Sequence, residues 1–235
     1  MLALTYFTLS AYVIGFLYLI MNKGLRLSQA SPNKRKRTIS IALVSGIAWL
    51  TYVAVLIQSG ILKDLELPPK FPLFILIPII AFQVGFYNRH KNSEVIRNVP
   101  RHWLIYFQSF RVFVEIMLYY KFLDGIIPES ATFEGYNFDI VMGAMAPIIA
   151  LTLYRRIEKF RALAVVWNIV GMLMILLVAV VIGTSLYLPD VWGSELPLVS
   201  DQFVELPYFL IAAVIAPGAI FVHVISLIQL RQLKN

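Results

Sequence analysis

Arg111 and Glu115 are the residues of this chain whose types and spacing carry the most chemistry. They lie four apart inside the apolar stretch WLIYFQSFRVFVEIMLYYKF, from Trp103 to Phe122. Side chains at i and i+4 share one helical face, so Gln108, Arg111, Glu115 and Tyr119 form one polar stripe. An Arg at the centre of a spanning helix costs roughly 2.5–3.5 kcal/mol on insertion scales. Such a residue faces a bundle interior, where it pairs with a neighbour or marks a path for an ion or a proton. A guanidinium here grips an anion, while a carboxylate or the imidazole of His223 carries a proton or acts as a general base.

The elements that must position these groups follow from composition. Of 235 residues, 60% are hydrophobic and 14% charged, with a mean hydropathy of +0.78. Soluble domains average about 25% charged residues, so the class is an all-α polytopic membrane bundle. There are no cysteines and only three histidines, His90, His102 and His223, so neither a metal centre nor a cofactor is predicted. The net charge of +7 is assigned to loops that fix orientation in the bilayer, not to nucleic acid.

Seven spans are read at about 3–21, 38–59, 71–88, 103–122, 138–154, 162–188 and 207–230, forming one transmembrane domain. The first carries no basic residue ahead of it and no cleavage signal behind it, so it reads as a retained helix. With this spacing, sixteen of the 20 Lys and Arg fall on one side, and ten of the 13 acids fall on the other. That predicts an outside amino terminus and a cytosolic carboxyl terminus. The basic linker from His90 to His102 is a solvated topogenic loop or lies on anionic lipid. The outer segment from Pro189 to Glu205 either folds over the bundle mouth or is disordered. Pro78, Pro147 and Pro217 fall inside spans and are expected to kink them.

Depth can then be compared across helices. Gln83, Gln108, Arg111, Asn168 and His223 all fall roughly 7–12 Å inside the cytosolic boundary, with Glu115 deeper. Three readings of this layer stand. Arg111 and Glu115 neutralise each other while Gln83, Asn168 and His223 join helices. Alternatively, the layer lines a cytosol-facing pocket that binds or moves a small ligand or a proton. In the third reading it is a catalytic centre acting on a lipid or isoprenoid. The non-enzymatic pocket leads, because no G-x-S-x-G, H-E-x-x-H or phosphate-binding glycine loop is present. A rhodopsin-type Schiff base is excluded because the last span has no lysine before Lys234.

The outer linker after the fourth span reads FLDGIIPESATFEGYNFD. Gly125 and Pro128 end the preceding helix, and Asn137 or Asp139 caps the following one. Glu134-Gly135 marks a tight turn between Phe133 and Tyr136, whose rings suit a membrane interface. Cation binding by Glu129, Glu134 and Asp139 is a secondary possibility.

R-x-x-x-E at Arg111 and Glu115, T-F-E-G-x-N-F-D from Thr132 to Asp139, A-P at Ala146-Pro147, W-N-x-x-G from Trp167 to Gly171 and H-x-x-x-L-x-Q-L from His223 to Leu230 together resemble an uncharacterised family of bacterial seven-helix integral membrane proteins. The likeness covers about residues 100–180 and, more loosely, the last span. It implies a bacterial cytoplasmic (inner) membrane location and importance for these positions, without a mechanism.

Overall fold

The computed structural model describes residues 2–154 and 156–233; Arg155 and Lys234, used in the charge count and the lysine argument above, lie outside them. The chain is all-α. Five runs are long and apolar enough to cross a membrane. They are α1 (Leu2–Leu27), α2 (Pro32–Gln58), α3 (Ile77–His90) with a π-turn at Pro72–Leu76 before it, α8 (Arg161–Tyr187), and α9 (Ala216–Gln232) with a π-turn at Ile211–Ile215 before it.

The two remaining apolar stretches are built differently. The fourth is helical from end to end but interrupted, as α5 (Arg101–Tyr106), a 3-10 turn (Phe107–Phe110) and α6 (Arg111–Leu123). A Schellman-type close ends α6, with Ile126 N–H donating to Lys121 O (2.9 Å) and Gly125 at φ 70°. The fifth, α7 (Asp139–Leu153), has only 15 residues, or about 22 Å of helix. The linker before it compensates. Instead of lying at the outer surface, it turns inward until Asn137 and Asp139 reach α6, and Ala131, Thr132 and Asn137 are buried.

The prolines at 78 and 217 do more than kink. Each follows a π-turn by two residues and removes the amide that would bond the carbonyl four residues earlier. Those carbonyls are Phe74 O and Ala213 O, and both are answered from α2. Tyr52 OH donates to Phe74 O (2.9 Å), and Trp49 Nε1 donates to Ala213 O (2.8 Å). Helix α2 otherwise presents apolar side chains outward, and its buried residues are Val53 and Leu56. Two directed hydrogen bonds therefore fix where it docks. Pro147 sits inside an α7 that stays continuous.

Packing is centred on α9, which lies against α8, α3, α5 and α1. The linker from His90 to His102 is neither loose nor flat. It forms α4 (Glu94–Arg97), tied to α9 by Gln229 Nε2 donating to Ile96 O (2.6 Å) and Val99 O (2.7 Å). The segment after α8 folds back over the end of the bundle, where Ser200 N–H donates to Ile126 O (2.9 Å) and Phe203 and Val204 are buried. At the same end Lys63 pairs with Glu205, and that carboxylate holds the Lys63 ammonium above its ordinary pKa.

If α2 is held through the freed carbonyls, the Trp49→Phe and Tyr52→Phe double substitution keeps the rings but removes both donors. Each loss removes one hydrogen bond to a carbonyl and costs about 0.5–1.5 kcal/mol. The expected result is a lower thermal midpoint in detergent and increased protease access between α1 and α2; an unchanged midpoint would refute the clamp.

Candidate functional site

Arg111 opens α6 immediately after the 3-10 turn, and its side chain is enclosed, with 1% of the residue exposed. Its ion-pair partner is Asp139 at the first position of α7, not Glu115 as the i,i+4 spacing suggests. The bond is bidentate: Nε donates to Oδ2 (2.7 Å) and Nη2 to Oδ1. Fork-on-carboxylate geometry of this kind is the strongest and most directional pairing open to Arg. Nη2 also donates to Gly171 O on α8 (3.0 Å).

The remaining guanidinium nitrogen reaches the last helix. Nη1 lies 3.3 Å from His223 Nε2, and His223 Nδ1 lies 2.9 Å from Asn168 Oδ1. Arg has only donors, so Nε2 accepts and the ring proton sits on Nδ1, directed at Asn168. Asn168 Nδ2 in turn donates to Ala164 O one turn back on α8 (2.7 Å). The string thus runs Asp139, Arg111, His223, Asn168 across α7, α6, α9 and α8.

Glu115, one turn along α6, takes a different partner. Its Oε2 accepts from Asn137 Nδ2 (2.6 Å), which also donates to Ala131 O (3.2 Å). Asn137 Oδ1 accepts from the Asp139 amide (3.0 Å). Asn137 therefore organises the turn leading into α7 without being its N-cap, a position held by Phe138 with no side-chain cap. Thr132 Oγ1 closes the same turn by donating to Glu129 O (2.9 Å) and accepting from Glu134 N–H (3.3 Å). Phe133 stacks on Tyr119 of α6 with ring centres 5.0 Å apart. Gly135 is required by close approach, since a Cβ there would sit 2.5 Å from Ser130 Cα and 2.6 Å from Glu129 O.

The predicted layer is therefore brought together in part. Arg111, Asn168 and His223 join one network, and Glu115 borders it through Asn137. Gln83 and Gln108 face the first turn of α9, donating to Pro217 O (3.3 Å) and Ala219 O (3.2 Å). With Asp139 committed to Arg111, the acidic linker forms no cation site, and no cluster of three metal-ligating side chains occurs among the described residues. The residues missed from sequence are Asp139 as ion-pair partner, the Gly171 carbonyl, and Trp49 and Tyr52. The N-F-D triplet was a signal for the first, because it sets an acid beside an amide just before an apolar helix. A backbone carbonyl has no sequence signature.

The site is close-packed. Two surface grooves, of about 410 and 350 Å³, lie elsewhere and include no residue of the network. A Cβ at Gly171 would fall 2.6 Å from His223 Cε1 and Nε2 and 3.2 Å from Arg111 Nη1. A Gly171→Ala substitution is therefore expected to push His223 off Arg111 and to lower the thermal midpoint. The control Gly183→Ala, where a Cβ meets nothing within 4 Å, is expected to leave it unchanged.

No curated protein and no solved structure matches the chain. One family model does match, over residues 68–231, a segment that holds every residue of the Arg111 network and leaves out α1 and α2. The chain belongs to that family, described as "Domain of unknown function (DUF8737)".

Proposed function

We propose that the chain is a seven-span integral protein of a bacterial cytoplasmic membrane, with its amino terminus outside and its carboxyl terminus in the cytosol. Within it the Arg111 network is a packed polar seam holding α6, α7, α8 and α9 in register. The role is that of a structural or assembly membrane protein. The observation that carries this reading is the bidentate Arg111–Asp139 bond, closed on its other sides by the Gly171 carbonyl and His223. Every hydrogen-bonding nitrogen of the guanidinium is engaged by protein, which argues against a waiting anion site. The α5–α6 run and α7 with its inward linker supply the two crossings beyond the five long helices. Orientation rests on the clustering of Lys and Arg at one end of the bundle. The bacterial location rests on the motif resemblance.

Removing one partner of a buried ion pair costs about 3–5 kcal/mol. Arg111→Asp and Asp139→Arg are each expected to abolish monodisperse material after detergent extraction, and the double swap to restore a substantial part of it. Single variants as stable as the parent chain would refute a structural seam and return the site to ligand binding.

A second reading, that the seam binds or moves a proton, is favoured by the placement of Glu115. It is buried at 1% exposure beside Asn137 with no cation bonded to it, one turn from the Arg111 string. Proteoliposomes with an enclosed pH dye would show proton uptake that Glu115→Gln eliminates without loss of folded protein. Identical dye traces for the two proteins would dismiss it.

A further inference from the structure

The larger groove lies away from the seam, at the end of the bundle where α5 begins and α7 ends. It encloses about 410 Å³ and is lined by Arg101, Tyr154, Arg156, Ile157, Glu158 and Lys159. Two elements converge on it. Arg101 is the first residue of α5, while Arg156 and Lys159 lie on the turn between α7 and α8. The elements are joined by an edge-on contact between the His102 and Tyr154 rings, whose centres are 4.6 Å apart. Ile157, buried with Leu153, Ile105 and Leu230, is the aliphatic residue in an otherwise mostly polar lining.

The rim carries three cations against one acid, Glu158. Among the described residues no carboxylate pairs with Arg101, Arg156 or Lys159. Arg161, next in sequence, is different in kind: its Nε donates to Leu230 O (2.8 Å), so it closes the end of α9. Arg101, Arg156 and Lys159 thus face the groove without a carboxylate partner, with Lys159 Nζ 5.7 Å from the centre of the Phe160 ring. The smaller groove, about 350 Å³, differs, because Arg35 in its lining donates to Asn22 Oδ1 (2.7 Å).

We propose that the Arg101–Arg156–Lys159 groove binds a phosphate group, carried by an anionic phospholipid headgroup or arriving as free phosphate. Two guanidinium forks and an ammonium suit phosphate oxygens, because the forks bond in pairs and the ammonium adds a point charge. Ile157 then meets the first carbons of a lipid. Helix ends flanked by Trp103 and Tyr154 place the groove at headgroup depth. The site requires that the helices span a bilayer, and it is independent of whether the Arg111 seam is structural or carries protons.

The test uses the full chain in phosphatidylcholine nanodiscs with graded phosphatidylglycerol, counting the lipids retained in native mass spectra. The parent chain is expected to retain phosphatidylglycerol selectively. R101Q/R156Q/K159Q is expected to lower that retention by about fivefold for each cation removed. The control R89Q/K91Q/R97Q, with the same change in net charge on the neighbouring linker, is expected to keep it. Displacement by millimolar inorganic phosphate assigns the groove to the free anion, and persistence assigns it to the headgroup. Equal losses in both triple variants, or no loss in the first, overturn the proposal. If the triple variant does not fold, R156Q and K159Q on the exposed turn are read singly. Folding defects in Arg111 or Asp139 variants have no bearing on the outcome.

Discussion

A guanidinium enclosed by apolar helices must have each of its donors answered, and Arg111 is the constraint around which this bundle is arranged. Its charge is met by Asp139 across the α6–α7 contact, and its outer nitrogens by a carbonyl of α8 and a ring nitrogen of α9. Each acceptor sits on a different helix, so the four helices hold their relative heights together. Sliding any one by a turn would displace its acceptor by about 5.4 Å, further than any hydrogen bond stretches.

Much of the surrounding irregularity serves that one geometry. Helix α7 can start deep only because the linker before it descends into the bundle, and buried non-helical backbone is tolerated only where protein satisfies it. Asn137, Thr132 and the Gly135 turn do so with short-range bonds. Small residues appear where backbones must come close: Gly143 against the Val112 amide and Gly171 against His223. The 3-10 turn that opens α6 places Gln108 on the carbonyl of Ala219 while Arg111 points at α7.

The helical class and five helices long and apolar enough to cross a membrane were legible because hydropathy and length determine them directly. So was the meeting of Arg111, Asn168 and His223 in one network, since their heights follow from counting residues along helices that alternate in direction. The Arg111–Glu115 pairing was misread, because adjacency on a helix face says nothing about a better acceptor on another element. Asp139 passed for a capping residue since local sequence cannot reveal that a linker turns inward. Tyr52 and Trp49 carry no local signal of their role; only the three-dimensional path shows them opposite carbonyls that prolines had left without an amide.

The separation of Arg111 and Asp139 along the chain has a consequence for how the protein is made. The two are 28 residues apart, with the whole α6 exit and the inward linker between them, and His223 lies 112 residues beyond Arg111. Because a chain is made from its amino terminus, Arg111 is made before any of its acceptors on α7, α8 or α9. Its guanidinium has to wait for those later segments to arrive. The string is therefore assembled in steps, joined first to Asp139 across the shorter separation and closed only once α8 and α9 have packed beside α6.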